Sequence, residues 1–438
     1  MPQESRKEPS GVASVPEKAT GQPRRVVTGG PLWRQTFAAL RHRNFRLFFG
    51  GQLVSLIGTW MQNTAQGWLI YDLTHSKVLL GAAAAIGSAP LFLFSTWGGS
   101  VADRHPKRQI ILWTQTGMML CAFILAGLVW SGKVRAWEIL ALSALGGLAM
   151  AFDMPARQSF MVEMTSREDL MNTISLNSSM VNGARVVGPS VAGFLMARVG
   201  TGACFFLNGV SFLAVIAGLW LMRLPRFIPP ARTSSTWAHA VEGFVYVWQN
   251  RRMRTLLLLF AVVGIFGWSY SVLMPAYAAD VLKVGQGQYG MLLSANGVGA
   301  LLGALTVATI GPRVNRRWLV LGGLWVFSGM LLLLALVEHY FLALLFLALA
   351  GWGMMLFFST TNTVLQTSAS DQMRGRVMGV WALIFGGMMP IGGVEAGFLS
   401  HYLGIRWTVA LGAIVCALAA LVVWVVVRQR PAQGQGRG

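Results

Sequence analysis

The chain alternates long apolar runs with short polar joints. A helix needs about 20 apolar residues to cross a hydrocarbon core of about 30 Å, and runs of that length recur throughout. Six precede a long polar stretch: Phe45 to Tyr71, Val78 to Ala102, Gln109 to Trp130, Trp137 to Phe160, Leu170 to Ala197 and Ala203 to Leu224. Six follow it: Leu256 to Ala279, Tyr289 to Ile310, Trp318 to Val337, Phe341 to Asn362, Val377 to Tyr402 and Trp407 to Val427. The stretch between, Pro225 to Thr255, holds Pro229, Pro230, a Ser-Ser-Thr run and Arg251, Arg252 and Arg254, with an amphipathic segment around Ala240 to Trp248. Such composition reads as a linker. The pattern predicts an all-α polytopic membrane protein with twelve spans in two six-helix halves. Its expected parts are a basic tail (1–40), a first half (41–224), a linker (225–255), a second half (256–428) and a short tail (429–438).

Composition agrees: 55% of residues are hydrophobic and only 11% charged, too apolar for an ordinary soluble globule. A net charge of +20 raises nucleic-acid binding, but its distribution argues for topology. Lys77, Lys133, Arg135, Arg198, Lys283 and Arg406 fall on one side of the predicted spans, Arg185 falls inside one, and the remaining Lys and Arg lie on the other side. By the positive-inside rule that basic side is cytoplasmic, with both termini there and the chain in the cell (inner) membrane. No nucleic-acid partner is expected. Cys121, Cys204 and Cys416 sit within apolar runs without metal-ligand spacing, so they read as packing residues. The first 30 residues have no apolar core segment of a signal peptide.

Six spans on either side of a linker suggest duplication. Gly188-Pro-Ser-Val-Ala-Gly-Phe-Leu195 in the fifth span aligns without gaps on Gly392-Gly-Val-Glu-Ala-Gly-Phe-Leu399 in the eleventh, and the same register pairs Gly200 with Gly404 and Leu207 with Leu411. Parallel repeats of this kind mark two-half transporters.

The joint after the second span concentrates charge: Gly99-x-x-x-Asp103-Arg104-x-x-Lys107-Arg108. Positive-inside anchoring accounts for the bases but not for an acid among them. With twelve spans in two repeats, this joint resembles the signature of the major facilitator superfamily, with Pro106 where the signature has glycine. Gly188-Pro189-x-x-Ala192-Gly193 is similar to the family's antiporter motif, with Ala192 for the first glycine of the closing pair. Phe152-Asp153-Met-Pro155-Ala-Arg157 and Arg374-Gly375-Arg376-Val-Met-Gly379 resemble the branch that includes the enterobactin exporter and macrolide efflux pumps. The resemblance implies a secondary exporter, commonly driven by proton inflow, that rocks two halves around a central site and needs no cofactor beyond an ion gradient. Its expected partners are a small-molecule substrate, protons and the bilayer, and a monomer is expected.

Candidate site residues follow from the cost of polar groups in a membrane. In the first span Gln52, Ser55, Thr59, Gln62 and Gln66 form one helical stripe with Asn63 beside it. They either line a cavity or bond neighbouring helices. Ser359, Asn362, Thr363 and Gln366 repeat the pattern in the tenth span. Arg185 needs a partner: Asp153, carbonyls freed beneath Pro189, or an anionic substrate. It is open to a structural and a functional role. A proton carrier needs an acid whose proton affinity changes between wet and dry surroundings. Glu395 fits this better than Asp153, which has Arg157 one turn away, although an interhelical hydrogen-bonding role also suits Glu395. Asp103, reaching Arg374 or Arg376 of the other half, would close a cytoplasmic gate. No metal or catalytic cluster and no Walker loop is present in the sequence, so neither an enzyme nor direct ATP drive is expected; import or lipid movement by the same fold is the alternative.

Overall fold

A computed structural model describes residues 37–166, 168–224, 236–370 and 372–428. Most of both expected tails and the first part of the linker lie outside the described residues. A 3-10 turn at Ala38–Arg41 leads into α1 (Arg43–Thr74), α2 (Lys77–Arg104), α3 (Lys107–Trp130), α4 (Ala136–Met164), α5 (Leu170–Val199) and α6 (Thr201–Leu221). The linker contributes α7 (Thr236–Gln249). Then come α8 (Arg251–Val281), α9 (Gln286–Ile310), α10 (Arg316–Leu336), α11 (Tyr340–Ser368), α12 (Arg374–Leu403) and α13 (Ile405–Arg428). Short joints are capped where a polar side chain is at hand: Asn250 accepts from the Arg252 and Met253 amides at the start of α8, and Asn315 from the Arg317 amide at the start of α10. Ten of the long helices are apolar enough to cross a membrane. The other two, α1 and α5, have 32 and 30 residues and carry the polar stripes.

One predicted span is not a continuous α-helix. In α8 the α-helical part ends at Phe266, restarts at Ser269 and closes with a π turn over Tyr277–Val281. Hydropathy sees one run because Gly267 and Trp268 at the break are not polar.

Within the first half α1 packs on α5 and α6, α2 on α4, and α3 on α4 and α6; the second half repeats this with α10 on α11 and α13, and α9 on α11. The halves meet along two seams, α2 with α12 and α5 with α9. Lipid supplies no hydrophobic drive for helix association, so close backbone approach between small residues takes its place. A Cβ built on Gly81 would fall 2.3 Å from the Gly393 carbonyl oxygen, and one on Gly290 would fall 2.4 Å from that of Pro189.

These contacts carry the repeat into three dimensions. Gly188 lies against α1 at Trp60 and Ile57, and its repeat partner Gly392 against α8 at Ile265. Gly193 lies against α9 at Gly287 and Gly290, and its partner Gly397 against α2 at Lys77, Val78 and Gly81. Each contact shifts by six spans, as a two-fold relation between the halves requires. Gly200 and Gly404, paired by the same register, both turn with positive φ, 86° and 82°, a conformation that favours glycine.

The seams run only part of the way through the bundle. On α5 and α9 they end near Arg185 and Gly297, and on α2 and α12 near Phe92 and Gly387. Further toward the basic joints, a Cβ on Gly183, Gly99, Gly379 or Gly375 would meet nothing within 4 Å. The halves therefore touch on the face opposite the basic joints and part toward the basic face.

Candidate functional site

At the closed face, aromatic and polar side chains from both halves meet. The Tyr71 hydroxyl donates to Asp280 across the interface, and Trp68 packs on Tyr289 with ring centroids 5.4 Å apart. Ser190 donates to Ser294 at 2.7 Å, and Ser294 donates to the Val186 carbonyl at 2.8 Å. The antiporter-like residues Gly188, Pro189 and Gly193 belong to this seam: all three are buried, and they bring α5 against α1 on one side and α9 on the other.

Where the α5 and α9 seam ends, five residues from five helices converge. Arg185 of α5 donates from Nη2 to Asn296 Oδ1 of α9 at 3.1 Å. Asn296 Nδ2 donates to the Tyr270 hydroxyl of α8 at 3.1 Å and to the Leu347 carbonyl of α11 at 3.2 Å. The Arg185 guanidinium also lies over the Trp60 ring of α1, 5.8 Å from its centroid. Neither Asp153 nor a carbonyl beneath Pro189 is its partner among the described contacts.

Asp153 is buried within the first half. It accepts from Thr114 at 2.8 Å and Gln115 at 3.1 Å and pairs with Arg157 one turn on. Glu395 of α12 turns to α8 of its own half. Its Oε2 lies 2.6 Å from Ser269 Oγ, at the break in α8, and its Oε1 is buried without a partner. Glu395 also lines a cavity of about 760 Å³ between α2, α8 and α12, otherwise walled by residues such as Ala85, Ile86, Phe266, Val394 and Phe398.

The polar stripe of α1 divides. Gln52 and Ser55 are each only 2% exposed, and Gln62 accepts from Asn208 of α6 at 2.7 Å. Thr59 bonds the Ser55 carbonyl, while Gln66 donates to Ser143 of α4 at 2.8 Å. Asn63 alone among these is exposed. On α11, Asn362 accepts from Gln366 at 2.7 Å, and Thr363 is exposed.

The charged joint lies at the parted face. Gly99 has open space beside it, and Asp103 and Arg104 are exposed. Lys107 pairs with Glu163 at 2.6 Å and Arg108 donates to the Trp220 carbonyl at 3.2 Å, both within the first half. Across the gap, Arg374 donates to the Gln366 carbonyl at 3.2 Å, and Arg376 pairs with Glu242 of the linker helix α7. Among the described contacts, none joins Asp103 to Arg374 or Arg376. A further clamp, without a local signal in the sequence, fixes the 3-10 turn before α1. Arg41 and His42 both reach Asp169 at 2.7 Å, and Asn172 accepts from the Ala39 amide at 2.9 Å. Burial pushes the Asp169 carboxyl up, but hydrogen bonds and charge from His42 and Arg41 outweigh it and hold the carboxyl below its usual range.

The comparisons with known proteins agree with this architecture. A family model described as transmembrane secretion effector matches residues 34–434. The chain is 23% identical to the staphyloferrin A transporter of Staphylococcus aureus, covering 88% of this chain and 96% of that protein. It is 27% identical to the multidrug efflux pump Tap of Mycolicibacterium fortuitum (78% and 85%) and 25% identical to the enterobactin exporter EntS of Salmonella typhi (80% and 84%). Among solved structures, a POT family transporter in complex with 5-aminolevulinic acid has the same fold, with a TM-score of 0.72 at 13% identity over 88% of this chain and 96% of that one. With one glycine seam used twice and a family match that spans both halves, the chain belongs to the transmembrane secretion effector family: it is a membrane transporter of the major facilitator superfamily, in the branch of the enterobactin exporters and efflux pumps.

Proposed function

We propose that this transporter is a proton-coupled exporter of a small amphipathic compound, siderophore- or drug-like, working by alternating access. The observation that carries the reading is the shape of the interface: seams closed opposite the basic joints, and halves that part below Arg185. With the basic face cytoplasmic, this is the state that loads from inside the cell. Staphyloferrin A, enterobactin and drug transporters among its relatives support the substrate class.

In the opposite state the basic face closes. Asp103 then meets Arg374 or Arg376, and its pairing stabilises only that state, which is what a gate requires. Glu395 is the proton carrier. Ionised, it accepts from Ser269; protonated, it donates to Ser269 Oγ, whose own proton turns to the Phe266 carbonyl 3.0 Å away. Either protonation state is therefore hydrogen-bonded, and opening of the α2 and α12 seam decides which is favoured. A second reading, movement of lipid-like molecules, is favoured by one observation: the apolar cavity that Glu395 lines.

The test uses inside-out vesicles, acidified inside, with dyes, macrolides and siderophores, and Asp103→Asn beside the native chain. Substrate-dependent proton leakage with accumulation, lost in the variant, supports the exporter. Accumulation without proton movement removes Glu395 as carrier, and no response except to lysophospholipids moves the second reading ahead.

A further inference from the structure

Arg185 lies midway along the fifth predicted span, where a charge is costly unless something offsets it. The acids inside the predicted spans are committed elsewhere: Asp153 to Arg157, Thr114 and Gln115, Glu395 to Ser269, and Glu138, at the start of α4, to the Arg135 amide. Asp280, at the closed face, is committed to Tyr71. Arg185 has instead one amide oxygen and one indole face. A guanidinium carries five N–H donors in a planar fork, so most of its donor capacity is unused among these contacts.

Its surroundings are held as a site is held. Asn296 is fixed by two further hydrogen bonds, to Tyr270 and the Leu347 carbonyl, which orient its oxygen toward Arg185. The Tyr270 hydroxyl accepts from Asn296, which leaves its own proton available. Arg185 and Trp60 come from the first half, Asn296 and Tyr270 from the second, where the interface begins to part. A group bound there touches both halves and senses their separation.

We infer that Arg185 is the subsite for an oxyanionic group, a carboxylate or its equivalent, on the transported compound. This deepens the exporter reading by naming the substrate class, and it rests on that reading only in treating the parted face as the loading side. The oxyanion takes the fork in bidentate fashion, displacing the single bond to Asn296. Loading thereby exchanges a cross-half hydrogen bond for a ligand contact and loosens the α5 and α9 seam. The fixed charge also disfavours cationic compounds at the same place.

Equilibrium binding to the purified chain in lipid nanodiscs tests this without requiring flux, so failure of the exporter reading and failure of this one are separable. The probes are a fluorescent amphiphile bearing a carboxylate, its methyl ester and a cationic analogue, followed by anisotropy. The native chain binds the carboxylate at least about tenfold tighter than the ester. Arg185→Gln erases that preference while ester binding stays, Arg185→Lys keeps part of it, and Asn296→Ala keeps or strengthens it. Three results overturn the proposal: equal affinity of the native chain for carboxylate and ester, an Arg185→Gln effect equal for all three probes, or loss of the preference in Asn296→Ala, which would make Arg185 a structural tie.

Discussion

Replacing Gly81 by alanine adds one methyl group to α2 at the point where it touches α12. The new Cβ falls 2.3 Å from the Gly393 carbonyl oxygen and 2.8 Å from the Gly397 Cα. Both are backbone atoms, so no side chain can swing aside, and the helices must separate by about 1 Å to restore ordinary contact; overpacking of this kind costs about 1–3 kcal/mol. The contact exists only while this face is closed, so the cost falls on that state alone. An equilibrium between states then shifts by a factor of about 5 to 150 toward opening at that face. Two glycines on the same helix supply controls. A methyl at Gly87 meets its nearest atom at 3.6 Å, an ordinary contact with Ser143, and Ala favours a helix by up to about 1 kcal/mol over Gly. A methyl at Gly98 would fall 2.1 Å from the Ala151 carbonyl inside the first half, which damages folding rather than the equilibrium. The readout is labelling of a Ser294→Cys reporter, buried in the other seam, by a membrane-impermeant maleimide. Gly81→Ala raises the labelling rate about tenfold, Gly87→Ala leaves it unchanged, and Gly98→Ala lowers the yield of folded protein. Equal labelling in Gly81→Ala and Gly87→Ala refutes the assignment of this seam to one state.

Other outcomes follow from the same contacts. Asp103→Asn inserts and folds normally, because Asp103 is exposed, yet its transport rate in vesicles falls at least about tenfold; full activity removes the gate. Glu395→Gln keeps substrate binding but loses the dependence of transport on external pH; an unchanged pH profile removes it as the proton carrier. The folded Asp169 carboxyl sits below its unfolded value of about 3.9, so its clamp on Arg41 and His42 is complete above about pH 4 and weakens as pH falls through the lowered value. Asp169→Ala accordingly exposes Arg41 and Arg43 to faster tryptic cleavage at pH 7, whereas equal rates in variant and native chain exclude the clamp.

Much of this architecture was legible because it rests on local pattern. Run length and charge placement predicted the helices, and the eight-residue match between the fifth and eleventh spans predicted glycines with equivalent partners. The site was legible only in part. Periodicity put Gln52, Ser55, Thr59, Gln62 and Gln66 on one stripe of α1, but a stripe does not name its neighbour. Asn208 on α6 takes Gln62 and Ser143 on α4 takes Gln66, while Asn63 beside the stripe is left exposed. Asn296 lies in a small-residue seam, where Gly297 packs on α5 and Gly299 on α11. Its amide nevertheless reaches Arg185, 111 residues away, a pairing that only the meeting of the halves creates. Ser269 and Glu395, 126 residues apart, are joined by the packing of α8 on α12 within the second half.

The two seams share a geometry but not a chemistry, and that difference gives each a task. Applying the repeat register to the α5 and α9 seam, Arg185 corresponds to Met389 and Ser190 to Val394 on α12. Where one seam has Arg185 with Asn296 and Ser190 with Ser294, its mate has glycine backbones, methyl groups and the apolar cavity of about 760 Å³. Polar bonds are directional and break at discrete steps, whereas contacts between small apolar residues slide at little cost. The α5 and α9 seam therefore suits a latch that a bound ligand opens, and the α2 and α12 seam a bearing on which the halves turn. Glu395 corresponds to Val191, so it has no acidic mate in the first seam, and it sits beside the break in α8. A proton delivered there changes the charge at the bearing, while a ligand at Arg185 changes the hydrogen bonding at the latch. On the proposed reading, two separate inputs would bear on one rocking motion, the arrangement that exchange of a proton for a substrate requires.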